Sequence, residues 1–234
     1  MPTSYVEQQA MELSKKPGAK SYGEWRDQLN AQYGLDTGVV QGYFTWAGKA
    51  VRGQFGDSWY WNQPVTKKFA SVIWYSFALG LGSFILEIVI AIPAGIVAAR
   101  KQYSTSDYVI TVLALIGISL PSFFFATILK YIFAIKLGWF DLYGIVGRMH
   151  DQLSPVGQFL DMAKHMILPT IVLAIVSIGS LMRYTRTNML EVLNSDYIRT
   201  ARAKGLSERV VVNKHAFRNT LIPIITLLGG TLPG

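Results

Sequence analysis

The chain has 234 residues, of which 51% are hydrophobic and only 15% are charged, and its formal net charge is +8. Soluble domains carry about 25% charged residues, and disordered chains combine low hydrophobicity with high charge, so neither class fits this composition. A soluble nucleic-acid-binding protein is also excluded, because such proteins display a dense basic surface. Because the chain has no cysteine, disulfides, thiolate zinc sites and cysteine nucleophiles are excluded.

Residues 1–68 are predicted to form a helical segment outside the cytoplasm. Ser4-x-x-Glu7 and Ser21-x-x-Glu24 are capping-box patterns that open helices, and apolar residues from Val39 to Val51 recur at helical spacing. The cluster Trp59-Tyr-Trp61 suits the headgroup level of a bilayer. Stacking of these tryptophans on a ligand is the alternative interpretation.

Three apolar runs in residues 69–182 predict three membrane spans. Ala70–Ala99 carries one charge, Glu87, whereas Tyr108–Leu129 and Met166–Met182 carry none. A helix needs about 20 apolar residues to cross the hydrocarbon core, so we expect an all-α, multi-pass transmembrane helical bundle. A fourth apolar run, residues 220–234, is expected to be the start of a further span.

Prolines and glycines interrupt these runs. Both residue types are common in membrane helices, where proline typically leaves a kink and glycine permits close approach of two helices. Bent helices around a pathway and ordinary membrane composition are both open interpretations. The residues concerned are Pro93, Pro121, Pro169 and Pro223, together with Gly80, Gly82, Gly95, Gly117 and Gly179.

Two charges lie in or near the apolar runs. Glu87 and Lys130 invite a functional hypothesis, because ionisable residues at membrane depth usually face the bundle interior. Lys130 could equally extend its ammonium to the interface, and Glu87 could have a structural partner. Neither residue is therefore assigned to a site.

The charge distribution predicts the orientation in the membrane. Residues 183–219 hold eight Lys and Arg and three Asp and Glu, a net charge of +5 out of the total of +8. Positively charged loops stay on the cytoplasmic side, so this loop is expected inside and residues 1–68 outside. The lipid surface is the expected partner of these cations, and nucleic acid is not.

The segment 196–219, DYIRTARAKGLSERVVVNKHAFRN, predicts two short helices separated by Gly205. The first runs from Asp196 to Lys204 and the second begins near Ser207. The small residues Ala201 and Ala203 would let a partner surface approach closely. The segment holds no base–nucleophile pair, and the chain lacks the phosphate-binding G-x-x-x-x-G-K-[ST] pattern, so docking rather than catalysis is expected.

This segment resembles the cytoplasmic EAA-type loop of permease subunits in bacterial ABC importers of the dipeptide, oligopeptide and nickel type, first-permease branch. Of the generic loop pattern only Ala201 and Gly205 are kept, but the branch-specific form is matched closely. Further family-like stretches lie along nearly the whole chain: Tyr33-Gly-Leu-Asp36, Gly53-Gln-Phe-Gly56-Asp, Ile92-Pro-Ala-Gly95, Pro121-Ser-Phe123, Lys136-Leu-Gly-Trp139, Gly147-Arg148 and His165-Met-Ile-Leu-Pro169.

The resemblance implies an ABC type I importer-like bundle in the bacterial cell membrane. Its implied partners are two ATP-binding subunits, a second permease subunit and an extracytoplasmic substrate-binding protein. ATP hydrolysis would belong to the partner subunits, so this chain is expected to be no enzyme and to hold no cofactor or metal. Di- or oligopeptides are the expected substrates, although nickel and oligosaccharide importers share this permease type. The chain is shorter than family members, as if truncated at both ends.

The resemblance also assigns residues to the ATPase-coupling loop. Its core would be the six consecutive residues that end at Leu206, with flanking support just before them. The assigned residues are Asp196, Tyr197, Arg199, Ala201, Arg202, Ala203, Lys204, Gly205 and Leu206.

Two other classes of protein are alternatives. An ion-coupled secondary transporter or channel would need no ATPase, and intramembrane Glu87 would be its characteristic feature. A polytopic membrane enzyme would need acids, bases or metal ligands at membrane depth, and the predicted spans supply only Glu87.

Overall fold

The computed structural model describes residues 5–33, 38–58, 60–61 and 63–231. The chain forms two compact units, Met1–Trp74 and Tyr75–Gly234. Nearly all regular structure in the described residues is helical, which confirms the predicted all-α class. The exception is an antiparallel pair of two-residue strands, β1 (Asp57–Ser58) and β2 (Gln63–Pro64).

In the first unit, helices α1 (Tyr5–Ser14) and α2 (Tyr22–Tyr33) pack on each other through Val6, Ala10 and Leu29. The predicted capping box at the start of α2 is confirmed: the Ser21 N–H donates to Glu24 Oε2 at 2.9 Å, and the Glu24 N–H donates to Ser21 Oγ at 3.4 Å. Ser4 of the other predicted box lies outside the described residues.

Helix α3 (Val39–Ala50) forms where the apolar spacing predicted it and exposes aromatic side chains. Tyr43, Phe44 and Trp46 are 60%, 70% and 55% exposed. Farther along, the Lys68 ammonium lies 4.7 Å from the centroid of the Trp61 ring. Trp59 of the predicted cluster lies outside the described residues. Exposed aromatic rings fit a bilayer interface, and the placement of this segment at the membrane surface stays a prediction.

Within the described residues, two helices are long and apolar enough to cross a membrane. Helix α4 (Val65–Arg100) has 36 residues and α7 (Pro155–Leu193) has 39, so they measure about 54 Å and 58 Å. Both exceed a hydrocarbon core of about 30 Å and therefore reach beyond it. Pro93 and Pro169 lie inside these helices without ending them. The Ser154 Oγ caps the first turn of α7 by accepting from the Gly157 N–H.

The apolar run predicted as one span, Tyr108–Leu129, does not form one helix. Helix α5 (Thr105–Ser119) ends before Leu120, and α6 (Ser122–Leu129) continues as a π-helix over Lys130–Lys136, at an angle of 104° to α5. The break falls where Leu120 precedes Pro121, because a residue before proline is driven out of the helical region. Leu120 accordingly has φ −92° and ψ 138°. The described helices give two candidate spans, or three if this bent pair counts as one.

Helix α7 is approached closely by α4 and α5 at glycines. A Cβ atom on Gly95 of α4 would lie 2.8 Å from the Met182 carbonyl oxygen, and one on Gly117 of α5 would lie 3.0 Å from that of Ile175. A Cβ atom on Gly179 of α7 would lie 2.6 Å from the Ala114 carbonyl oxygen. These backbones can meet only without side chains, which confirms close helix approach at these three glycines.

The chain continues after α7 into helices α8 (Asp196–Ala203), α9 (Glu208–Val210) and α10 (Phe217–Thr231). A π-helical stretch, Val211–Ala216, joins α9 to α10 without a break. Pro223 lies inside α10 and does not end it.

We expect Gly179→Ala to destabilise the protein by about 1–3 kcal/mol, because the added methyl group would overlap a backbone carbonyl of α5 that cannot rotate away. Gly80→Ala is the matched control, since a Cβ there would meet no described atom within 4 Å. Thermal unfolding of the detergent-solubilised, full-length protein measures the difference. Equal melting temperatures for the two variants would contradict the close approach.

Candidate functional site

Helix α8 has one buried face, which holds it against the rest of the second unit. Ile198 and Ala201, three residues apart, are 0% and 7% exposed. Full burial of an Ile side chain contributes about 1.5–3 kcal/mol, so this face fixes the helix in place. The apolar cluster around them contains Ala99 of α4, Met189 and Leu193 of α7, and Val211, Val212 and Ala216 of the π-helical stretch.

The opposite face of α8 and the turn after it are open to solvent. The Asp196 and Arg199 side chains are 96% and 73% exposed, and Tyr197 is 47% exposed. Eight of the nine residues assigned to the coupling loop from the sequence are exposed, and we call them the α8 surface: Asp196, Tyr197, Arg199, Arg202, Ala203, Lys204, Gly205 and Leu206.

Ala201 is the exception among the nine. Its side chain packs in the apolar cluster, so it does not lie on the exposed face where a partner surface was expected to approach it closely. Ile198 and Ala201 share a face because residues three apart on a helix are neighbours. Ala203 is exposed, as expected from the sequence.

The turn after α8 depends on the left-handed conformation of Gly205, which has φ +76°. Its N–H donates to the Arg202 carbonyl at 2.9 Å, and the Leu206 N–H donates to the Ala201 carbonyl at 3.4 Å. These two bonds form a Schellman motif, which ends a helix at a residue with positive φ, usually glycine. The predicted helix–Gly–helix arrangement is confirmed, with Ser207 preceding α9.

A side-chain pair spans the same turn. The Arg202 guanidinium donates to both carboxylate oxygens of Glu208, at 3.1 Å and 2.9 Å. This bond lowers the pKa of the Glu208 carboxyl below its usual value, with a smaller contribution from the charge of Arg100. The two side chains are 43% and 53% exposed, so solvent screening limits the pair to about 1 kcal/mol or less. Its main effect is to orient the turn.

A partly buried ion pair joins the start of α5 to α7. The Arg186 Nε donates to Asp107 Oδ1 at 2.7 Å, and one terminal nitrogen of Arg186 donates to Oδ2 at 2.8 Å. The Tyr103 N–H and the Thr111 hydroxyl donate to the same carboxylate, which is 4% exposed. The Arg186 side chain is 24% exposed, so removing either partner should cost less than the roughly 3–5 kcal/mol of a fully buried pair. The contact joins α5 to α7.

The pairing of Asp107 with Arg186 was not predicted from the sequence. The local signal was present, because Ser104-x-x-Asp107 before an apolar run is a capping pattern, and the Asp107 N–H does donate to Ser104 Oγ. Arg186, however, lies 79 residues farther along the chain. No local spacing connects the two residues.

The two charges noted in the apolar runs lie in different cavities. Lys130 lines a cavity of about 370 Å³ beside α7 and places its ammonium 4.5 Å from the centroid of the Tyr143 ring. In the same cavity the His165 Nε2 lies 3.2 Å from Asp141 Oδ2, out of line for a hydrogen bond. Glu87 lines a separate groove between α4, α7 and α10.

Replacing Gly205 tests the turn. We expect Gly205→Ala to cost about 1–2 kcal/mol of stability, because a Cβ atom penalises the left-handed conformation, whereas Gly205→Asn should cost less, since asparagine tolerates it. A Cβ at this position would meet no described atom within 4 Å, so sterics add nothing. Chemical denaturation of the full-length protein compares the two. An alanine variant as stable as the wild type would contradict the motif.

Comparison with known proteins identifies the family. Residues 91–234 match the family model described as binding-protein-dependent transport system inner membrane component. The chain is 41% identical over 209 residues to an oligopeptide transport system permease protein of Bacillus subtilis, with 89% of this chain and 65% of that protein covered. It is 36% identical over 216 residues to a di/tripeptide transport system permease protein of Pseudomonas aeruginosa, with 85% and 64% covered.

A third relative is a putative peptide permease protein of Brucella ovis, 41% identical over 207 residues, with 88% of this chain and 63% of that protein covered. The chain therefore spans slightly less than two thirds of the length of these relatives. The family match includes all nine residues assigned to the coupling loop. The predicted resemblance is confirmed: the chain belongs to the family of inner membrane components of binding-protein-dependent transport systems.

Proposed function

We propose that this protein is a permease subunit of an ATP-driven importer for di- or oligopeptides, and that the α8 surface couples it to an ATP-binding subunit. The observation that carries the proposal is the contrast between the two faces of α8. One face is buried against α4, α7 and the π-helical stretch, and the other presents exposed side chains around the Gly205 turn. The substrate class comes from the names of the relatives, which are peptide permeases.

The burial of Ile198 and Ala201 explains how force would pass from the partner into the membrane helices. Protein interiors are close-packed and transmit strain, so a displacement of α8 must move the end of α7 with it. Helix α7 is one continuous element of 39 residues. Its movement would be passed to α5 through the pair of Asp107 and Arg186.

The composition of the α8 surface indicates the partner surface that it fits. Tyr197 and Leu206 offer exposed apolar area, and Lys204 adds an exposed cation. The charge of Arg202 is compensated by Glu208. A shallow apolar groove with an acidic rim on the ATP-binding subunit is the complementary surface.

The remaining parts of the proposal concern the assembly and its orientation. We place residues 183–219 in the cytoplasm and residues 1–68 outside, in a bacterial cell membrane, on the basis of the positive-inside rule. Two ATP-binding subunits, a second permease subunit and an extracytoplasmic substrate-binding protein complete the importer. ATP hydrolysis takes place in the partner subunits, and this chain supplies no catalytic group.

An ion-coupled secondary transporter is the second candidate function. The observation that favours it is Glu87, which forms no hydrogen bond or ion pair with any residue that the structure describes. Ion-coupled carriers use carboxylates at membrane depth. The two candidates differ in their energy source, because uptake by an ATP-driven importer persists when a protonophore collapses the proton gradient and ATP is supplied.

The proposal is tested at Ala203, whose side chain is exposed. In the full-length permease, Ala203→Glu should abolish co-purification of the ATP-binding subunit, because the added carboxylate would face the acidic rim of the partner groove. Ala203→Ser is the matched control and should co-purify normally. Both variants should have wild-type melting temperatures, since neither touches the buried face of α8. Undiminished co-purification of Ala203→Glu would overturn the proposal.

A further inference from the structure

A groove of about 710 Å³ lies between α4, α7 and α10. Its α4 wall consists of residues at helical spacing along one face, among them Ser76, Gly80, Ser83 and Glu87. The other walls combine three apolar side chains with three that carry hydroxyl groups. From α7 and α10 the groove receives Val176, Ser177, Ser180, Leu181, Leu227 and Thr231.

Glu87 is the one charged side chain among the described residues that line this groove. It lies inside the apolar run of α4, and in the described part of the chain no cation pairs with it. A carboxylate at membrane depth is costly unless a positive charge or several hydrogen-bond donors accompany it. The groove is therefore electrostatically complementary to a cationic group.

The hydroxyl groups that line the groove can accept hydrogen bonds from an ammonium. Ser83, one turn before Glu87, donates its hydroxyl proton to the Gly80 carbonyl at 2.9 Å, which leaves the lone pairs of its oxygen free to accept. Ser177 and Ser180 of the facing helix line the same groove. A primary ammonium has three donors, which one carboxylate and neighbouring hydroxyl oxygens can satisfy together.

We propose that this groove contacts the transported peptide and that Glu87 binds the peptide's N-terminal ammonium; the proposal rests on the peptide-importer function above. Every unmodified peptide carries this ammonium, whatever its side chains. The apolar side chains of the walls, which make no directional bonds, accommodate varied side chains beside it. One carboxylate in a groove that accepts varied side chains thus suits a subunit that transports peptides of many sequences.

The first experiment measures the local charge without transport. Residues 1–234 contain no cysteine, so Ser83→Cys introduces the one thiol of this part of the chain, one turn from Glu87, and any cysteine elsewhere in the transporter is first replaced by serine. In the assembled full-length transporter, we compare its modification rates by methanethiosulfonate ethylammonium and by the anionic ethylsulfonate reagent. The ratio of the two rates should fall about tenfold when Glu87→Gln is added, and it should be retained with Glu87→Asp.

Ser76→Cys is the distance control. Residue 76 lines the same groove but lies 11 residues from Glu87, about 16 Å along the helix and beyond the screening length of about 8 Å at physiological salt. The rate ratio for the thiol at position 76 should change little on Glu87→Gln. An unchanged ratio for the thiol at position 83 would overturn the proposal, because Glu87 would then not act on cations in the groove.

The second experiment identifies the occupant. Millimolar trialanine should slow modification of the Ser83→Cys thiol by the ethylammonium reagent at least threefold, whereas N-acetyltrialanine, which lacks the ammonium, should not. Equal protection by both peptides, or by neither, would overturn the assignment of Glu87 to the peptide ammonium. A thiol that reacts with neither reagent until the second permease subunit is removed would show that a partner subunit covers the groove, which also overturns it.

These outcomes are separate from those of the proposed function. Co-purification of the ATP-binding subunit with the Ser83→Cys and Glu87→Gln variants, at wild-type melting temperature, shows that the assembly is intact. If the wild-type chain does not bind an ATP-binding subunit, the importer function fails whatever happens to the thiol at position 83. If binding is normal and trialanine gives no protection, only the assignment of the groove fails.

Discussion

The second unit depends on close backbone contact between α7 and the two helices beside it. In a bilayer, lipid tails are as apolar as the side chains, so helices gain little by leaving lipid and associate chiefly through packing. Gly95, Gly117 and Gly179 permit that packing by letting backbone meet backbone or short side chain. Side chains at these positions would increase the distances of α4 and α5 from α7. The groove and the position of the α8 surface both depend on this packing.

Polar contacts also hold α5 against α7. Asp107 receives hydrogen bonds from Arg186, Tyr103 and Thr111, so its carboxylate is satisfied although it is almost fully buried. Bidentate pairing of Arg with a carboxylate adds geometric specificity to attraction. Glycine contacts alone set a distance between two helices. The ion pair adds a fixed register along them.

Helix α7 contributes residues both to the apolar cluster under α8 and to the groove that holds Glu87. Its last turns, with Met189 and Leu193, form part of the apolar cluster under α8. One wall of the groove is formed by Val176, Ser177, Ser180 and Leu181. A single unbroken helix therefore connects the two regions. In the proposed function, this continuity would couple a partner on the α8 surface to events in the groove.

Much of the fold could be predicted from local patterns. The capping box at Ser21, the α3 spacing and the Gly205 turn each depend on residues within a few positions of one another, and all three are confirmed. The conformational restriction on a residue before proline also predicts a helix break before Pro121. The length of the apolar run had instead favoured a single span. The inward direction of Ala201 was likewise implied by its spacing from Ile198.

Other features depend on tertiary placement and have no local signal. The partner of Asp107 is 79 residues away, and the groove that holds Glu87 forms only when α4, α7 and α10 meet. From the sequence, Glu87 was one charge in an apolar run with two open interpretations. Its neighbours in space, and not its neighbours in the chain, decide which chemistry it can perform.

The most direct test of the account is whether the α8 surface and the groove move as one body. Thr200 of α8 and Val176 of α7 are both exposed, so cysteines at these positions can carry spin labels once any cysteine outside residues 1–234 has been replaced by serine. Electron–electron resonance on the assembled transporter would measure the distance between them without nucleotide and with ATP trapped. We expect the same narrow distance distribution in both states. A shift or broadening on ATP binding would contradict it.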